Sequence, residues 1–467
     1  MQLWIHWWKV VWQLRPACNR LRTFLWFATC LAAMAIRLDG LGVTSLMRAL
    51  GLKDFCYDRL LDFFHSQALN LKALTRLWVE VLLASLPAPL TVNGRIILVG
   101  DGLKVPKSGK KMPAVKCLHQ QSESNTKPEY IMGHSLQAVA LLAGAHESPF
   151  AIPLVSRIHE GVIFSNRDRR TLLDKMVLLI QSLGVTLPFY FIADAYYATR
   201  TVFRGLLAQG NHLISRVRSN AVAYYPATPK TSGKRKGRQP KYGQKVHLRS
   251  FFKDPETMKK NSSPVYGESG VTLRWRNVDL LWRPVGVLLR FVFVVHPSRG
   301  KLILACSDLT LDPLQIIRLY ALRFKIEISF KQALRIVGAY AYHFWMMAME
   351  PIRRLSGNQH LHHKSDAYRQ AVRRKIDAYH RHIQTGLIAQ GLLQYLAVAF
   401  PKLVWNNFGS WIRTIRPCLC PSEQVSSMSL RNTLPEFLAV SCRASILTKF
   451  LRRRIDPSRS EGMRLVA

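Results

Sequence analysis

Two short apolar runs, each closing on an aspartate, restrict this chain more than any other feature. The first is Ile96-Ile97-Leu98-Val99-Gly100-Asp101; the second is Phe189-Tyr190-Phe191-Ile192-Ala193-Asp194. Their length and their β-branched or aromatic content are those of buried strands. A carboxylate at the end of such a strand is costly unless something positive meets it. Either a basic side chain or a metal ion can do so, and hard divalent cations prefer carboxylate oxygens. Two strand-end aspartates suit a metal-dependent phosphodiester enzyme. A third carboxylate would complete the site, and Glu327 is the candidate.

Charge narrows the partner. The 467 residues include 67 Lys+Arg against 27 Asp+Glu, a formal net charge of +40. A field of that sign points to a polyanion, nucleic acid before an acidic membrane surface. A hydrophobic content of 49% supplies cores for two or three domains and excludes a disordered basic protein. The apolar run Phe24 to Ile36 is shorter than the ~20 residues that cross a bilayer. The mixture of Trp and Arg before it does not suit a signal peptide, so it is read as a buried helix. The eight cysteines form no C-x-x-C pair, which leaves zinc-ligand spacing absent and fits reduced thiols in a cytoplasmic protein.

Residues 1–90 read as helical. Gly42-Val43-Thr44-Ser45 offers cap residues before Leu46 to Leu50, and Gly51 can stop that helix. A second periodic segment carries Phe55, Leu60, Leu61 and Phe64. Two short helices around a glycine suit a helix-turn-helix on DNA or a simple helical hairpin. From Arg95 to Val217 strands alternate with helices, the signature of an α/β layer. Residues 218–311 break the rhythm with strand runs at Val271–Trp275, Val287–Val295 and Lys301–Cys306, a β-rich insertion. They also hold a basic loop, Thr231 to Lys245, whose Lys234, Arg235, Lys236 and Arg238 are read as a phosphate-contacting arm. Asp312-Pro313 restores helix as N-cap and first helical residue. Basic amphipathic helices are expected at 364–385 and 441–454.

On the helix after Asp312, Tyr320, Arg323, Glu327 and Lys331 are spaced by three, four and four residues and so share one face. Ile317, Ala321, Phe324 and Ile328 make the adjacent apolar stripe that would pack on the sheet. Alone, such a face is an ordinary salt-bridged one. With Asp101 and Asp194 it becomes a site in which three carboxylates clamp two metal ions for phosphodiester displacement. Tyr320, Arg323 and Lys331 would then hold neighbouring phosphates. Lys104 is either close to the scissile phosphate or a plain surface lysine. His119, His134 and His159 read as satisfied histidines, Glu160 as a turn residue and a rival for a further site carboxylate, and His360, His362 and His363 as solvated.

The order Asp, Asp, long β-rich insertion, then Tyr-x-x-Arg-x-x-x-Glu resembles the bacterial DDE transposases of the IS4 family. Tyr320, Arg323 and Glu327 match that signature; the lysine expected seven residues after the glutamate is replaced by Leu334, with Lys331 and Arg335 the nearest cations. Lys104-Val105-Pro106-Lys107 and His119-Gln120-x-Ser122 add to the likeness. The resemblance implies an RNase H-like catalytic core in two parts, 91–217 and 312–400, interrupted by the insertion at 218–311. A helical DNA-binding domain at 1–90 and a basic helical region at 401–467 would flank it. It implies Asp101, Asp194 and Glu327 as catalytic ligands for Mg²⁺ or Mn²⁺. It further implies double-stranded DNA, both transposon ends and target, as partner, and a homodimer pairing two ends. Such a protein would be cytoplasmic and nucleoid-associated, without a membrane role. Family members cut at transposon ends and join the freed 3′-OH to target DNA. Several proceed through a DNA hairpin with an insertion-domain Trp stacked on a flipped base, for which Trp275 and Trp282 are candidates. Two alternatives stand beside this reading: a catalytically inactive DNA-binding relative, favoured by the missing lysine, and a metal-dependent nuclease without strand transfer.

Overall fold

The computed structural model describes residues 1–120, 128–145, 149–228, 240–413, 415–439 and 446–459. A mixed sheet of 13 strands crosses the described chain, and helices cover both of its faces. Its strand Arg95–Pro106 runs parallel to Phe189–Ala193 and antiparallel to Tyr130–Ala143. His212–Arg216 extends the parallel part beyond Phe189–Ala193. On the other side, Phe150–Ile158 pairs with Tyr130–Ala143.

Both aspartate-bearing runs are buried on two faces. Ile97, Val99, Tyr190 and Ile192 meet the core beneath the helices Pro313–Ala321 and Lys325–Arg335. Ile96, Leu98, Phe189 and Phe191 meet the opposite core, which the helix Asp366–Ala399 helps to close. Two-sided burial is why these runs are continuously apolar and not alternating.

The strands of the 218–311 region do not form a sheet of their own. Gly300–Cys306 pairs antiparallel with His212–Arg216, placing Leu304 opposite Arg216 and Cys306 opposite Ile214. Val287–His296 and Thr272–Trp282 follow in antiparallel order, the former joined to Gly300–Cys306 by the expected hairpin. The far edge is made by Val222–Pro226 and Tyr242–His247.

Among the helices, Leu21–Ile36 is buried at every residue from Phe24 onward, as a helix apolar all round must be. Among the described residues no helix is long and apolar enough to cross a membrane. The two ends of the chain meet: the Trp4 indole N–H donates to the Leu430 carbonyl at 2.9 Å, and their side chains share one core.

Several expectations change. The strand carrying Asp101 continues to Pro106, because Lys104, Val105 and Pro106 still pair with Ser135, His134 and Gly133. Asp101 is therefore inside a strand, whereas Asp194 follows one. The Gly42–Leu50 helix begins at Gly42, so Thr44 and Ser45 lie within it and no side chain caps it. Ser45 Oγ donates instead to the Asp39 carbonyl at 2.8 Å, while Gly51 does close the helix in a left-handed conformation. The basic stretch expected as a loop to Lys245 is already strand from Tyr242, which gives those backbone groups partners on Val222–Pro226. Lys234, Arg235, Lys236 and Arg238 lie outside the described residues, as does Ser122. Of the expected C-terminal helix, Ile446–Arg452 is described and helical.

Candidate active site

Register brings the two aspartates together. Ile97 stands opposite Tyr190 and Val99 opposite Ile192 on neighbouring parallel strands. Two residues beyond that register come Asp101 and Asp194, close enough for the charge of Asp194 to act on the Asp101 carboxyl. Gly100 is required between them: a Cβ there would lie 2.3 Å from Cζ of Phe191. Asp101 Oδ1 accepts from the Gly102 N–H at 2.7 Å. Asp194 caps the short turn Ala195–Tyr197, with Oδ1 accepting from the Tyr196 N–H at 3.1 Å. Ser215 Oγ donates to the Asp194 carbonyl at 2.7 Å.

The third carboxylate arrives on a helix with a defined start and a break. Asp312 Oδ1 accepts from the N–H groups of Leu314 and Gln315, and Pro313 opens the helix. After Pro313–Ala321 the chain tightens into a 3₁₀ turn, Leu322–Phe324, before continuing as Lys325–Arg335. Each 3₁₀ residue turns about 120° against about 100° in an α-helix, so the apolar face is rephased. The buried stripe is accordingly Ile316, Leu319, Leu322, Ile326 and Phe330, together with Ile317 as expected. Ile328, expected in it, is 41% exposed.

Arg323 sits in that turn and reaches two carboxylates. Nη1 donates to Asp101 Oδ2 at 2.9 Å and Nη2 to Glu327 Oε1 at 2.6 Å. Burial pushes Asp101 up to about 6; Arg323 opposes this, while the charges of Asp194 and Glu327 add to it. Asp194 is raised as well, chiefly by burial and in part by Glu327. Burial works against the charge on Arg323, but Asp101 and Glu327 outweigh it and hold the guanidinium protonated. Tyr320 is raised by burial, against the charges of Arg323 and Arg216.

The sequence-predicted residues thus divide. Asp101, Asp194, Arg323, Glu327 and Tyr320 share one electrostatic neighbourhood. Lys331 is exposed, with neither ion pair nor hydrogen bond among the described residues. Lys104 belongs to the opposite face of the Asp101 strand, and its Nζ donates to the His119 carbonyl at 2.5 Å. Glu160 pairs with Lys116 at 3.4 Å. His134 is fully buried; its Nε2 donates to the Pro113 carbonyl and its Nδ1 accepts from the Tyr342 hydroxyl. His159 Nδ1 donates to Gln137 Oε1 at 2.5 Å, and Gln137 Nε2 donates to the Tyr197 hydroxyl at 3.1 Å, a buried prop beneath the Asp194 turn. Trp275 and Trp282 are buried at 6% and 8% exposure; the Trp275 indole donates to Asn261 and Trp282 meets Phe203 edge-on. Neither offers a free ring face to a base.

Sequence reading missed the wall facing Tyr320. A cleft of about 490 Å³ opens beside Arg323, with Tyr266, Leu273 and Val294 inside and Arg216, Arg299 and Lys301 around it. Arg216 was recoverable, because it ends the strand beside Asp194, where Ala193 stands opposite Ser215.

The donor set is all carboxylate oxygen, the chemistry of a hard divalent cation and not of zinc. Among the described residues, however, no three His, Cys, Asp or Glu side chains are gathered closely enough to grip one ion. Arg323 stands between Asp101 and Glu327, so loading would displace that guanidinium.

The sequence pattern of a family described as DDE superfamily endonuclease matches residues 14–283, a span that includes Asp101 and Asp194 and ends before Glu327. No curated protein matches the chain. Among solved structures, a piggyBac transposase synaptic complex with hairpin DNA is similar, at 11% identity and a TM-score of 0.34, over 95% of this chain and 81% of that one. A likeness that loose says nothing of function.

Proposed function

We propose a function from one premise: the chain belongs to the DDE superfamily of endonucleases. The proposed activity is that of an IS4-type transposase, which cuts DNA at transposon ends and joins the freed 3′-OH to target DNA. The observation that supports it best is the nearness of Asp101, inside one strand, to Asp194, the residue after the parallel neighbouring strand, with Arg323 linking Asp101 to Glu327. On this reading the two parts of the chain around the 218–311 strands form an RNase H-like core. The helical region 1–90 binds transposon ends, and two copies pair them.

Asp101, Asp194 and Glu327 would hold Mg²⁺ or Mn²⁺, which when bound supplies Lewis-acid activation of the attacking and leaving oxygens. Arg323 neutralises the carboxylates until then and is positioned to turn to a phosphate. Tyr320 presents a half-buried hydroxyl beside it, and Lys331 reaches from the next helical turn in place of the lysine absent at Leu334. If the reaction passes through a hairpin, the cleft lined by Tyr266 and Phe324 suits an unstacked base better than Trp275 or Trp282 does.

The test is nicking of a supercoiled plasmid carrying the gene with its flanking DNA. The purified chain should nick and join strands with Mg²⁺ or Mn²⁺ and do neither in EDTA. Nicking without joined product would favour a simple nuclease. Tight DNA binding without nicking would favour the inactive relative that Leu334 suggests.

A further inference from the structure

A second cavity lies beyond the cleft at Arg323, and the two share a wall. Its volume is about 500 Å³, and its lining includes Arg216, His247, Arg249, Lys253 and Lys301 with the hydroxyls of Ser219 and Ser250. No carboxylate among the described residues lines it. Among the described residues, Arg216, Arg249, Lys253 and Lys301 enter no ion pair with Asp or Glu. The contrast with the first cleft is informative: there Arg299 is neutralised by Glu268 at 2.8 Å, and His296 leans on the same carboxylate at 3.0 Å. Unpaired cations lining one concavity repel one another, and the arrangement is tolerated when an anion occupies it.

Arg216 and Lys301 line both cavities, so the two lie side by side. Their placement follows from the joint between the two halves of the sheet, since Arg216 ends the strand beside Asp194 and Lys301 is the second residue of the strand paired to it. Arg249 and Lys253 come from the short helical segment Leu248–Phe252 and the residue after it, held down by buried Leu248 and Phe251. A run of cations beginning at Arg323 and ending at Lys253 is thus anchored at every point on strands or a packed turn.

We propose that these two cavities form a track for a single DNA strand, in which the Arg216–Arg249–Lys253–Lys301 cavity binds the phosphodiester groups next to the scissile one. The aromatic cleft receives a base and the cationic cavity its backbone, the combination by which single strands are held without sequence preference. A cavity of this size takes one backbone and excludes a duplex. The proposal rests on the DNA reading but not on cleavage, and it adds a preference for DNA with an unpaired extension.

The probes are a fluorescein-labelled duplex of about 20 base pairs, blunt or with an unpaired thymidine extension of roughly five nucleotides, titrated with full-length protein in EDTA. Wild type should bind the extended probe about tenfold more tightly than the blunt one. Arg249→Ala/Lys253→Ala, both exposed positions, should erase that advantage while blunt binding changes less than about twofold, and should lower the salt slope on the extended probe by roughly 1.4, about 0.7 per cation. Equal affinity of wild type for both probes, or an advantage that survives the double variant, overturns the proposal. Lys301→Gln repeats the test from a different element, so that a misfolded double variant, detected by its thermal melt, does not stand as support. If Asp101→Asn proves irrelevant to cleavage while the extension advantage is lost with Arg249 and Lys253, the transposase reading fails and the strand track stands.

Discussion

Two polar clusters lie along the course of the Asp101 strand, one within it and one just past its end at Lys107, and they solve burial in opposite ways. Around Lys107, the ammonium donates to the carbonyls of Tyr340 and Tyr342 at 2.5 and 3.0 Å and lies 3.8 Å from the centre of the Tyr342 ring. Burial lowers that lysine to about 7, and burial together with the Lys107 charge lowers the neighbouring His134 to about 3. These groups are desolvated, but their partners are neutral and the cluster is closed. Around Asp101, three carboxylates crowd a single guanidinium, and Glu327 keeps 55% of its side chain exposed. An excess of negative charge left open in a chain of net charge +40 is a standing demand for a cation. Closure marks the first cluster as structure, and the open second cluster is where the proposed chemistry would take place.

Breaking this contrast at its strongest point means neutralising one carboxylate. Asp101→Asn or Glu327→Gln is expected to lower metal-dependent nicking by on the order of 10³-fold, while DNA affinity in EDTA stays within about twofold. Retained nicking would remove that residue from the site. The closed cluster should answer in stability instead. Lys107→Met leaves two buried carbonyls without a donor and is expected to cost roughly 2–3 kcal/mol in denaturant melts, and an unchanged midpoint would show the cluster to be dispensable.

Acidity separates the clusters further. Asp101 ionises near 3.8 in the unfolded chain and near 6 when folded, so the native state holds the extra proton between those values. Its contribution is complete below about pH 4 and is lost as the pH rises through 6, by roughly 3 kcal/mol. Melts in EDTA should therefore show Asp101→Asn gaining on wild type across that window, and parallel curves would refute the raised carboxylate. The smallest effect is expected at Trp275→Phe, which loses one hydrogen bond to Asn261, worth about 1 kcal/mol. Nicking should be preserved within about twofold; a collapse of nicking would restore Trp275 as a base-stacking residue.

Much of this arrangement was legible because it rests on local rules. The two apolar runs, the Asp312-Pro313 start and the hairpin at His296–Gly300 follow from burial, capping and turn chemistry that neighbouring residues decide. What escaped depends on pairing across long separations. The position of Asp101 inside its strand is set by Tyr130–Ala143, and the apolar stripe was displaced by a 3₁₀ turn that composition does not announce. Arg249 and Lys253 escaped because their cavity exists only once Gly300–Cys306 has paired with His212–Arg216.

The placement of Arg323 and Glu327 on one helical turn, after the inserted strands, also sets a timetable. A chain emerging from the ribosome exposes both aspartates long before either residue exists, so on the proposed reading a nascent or prematurely ended copy would have DNA-attracting surfaces and an unfinished blade. When the glutamate does appear, its neutralising arginine has come out one turn ahead of it, and on the proposed reading the protein is thus sheathed from the moment it is complete.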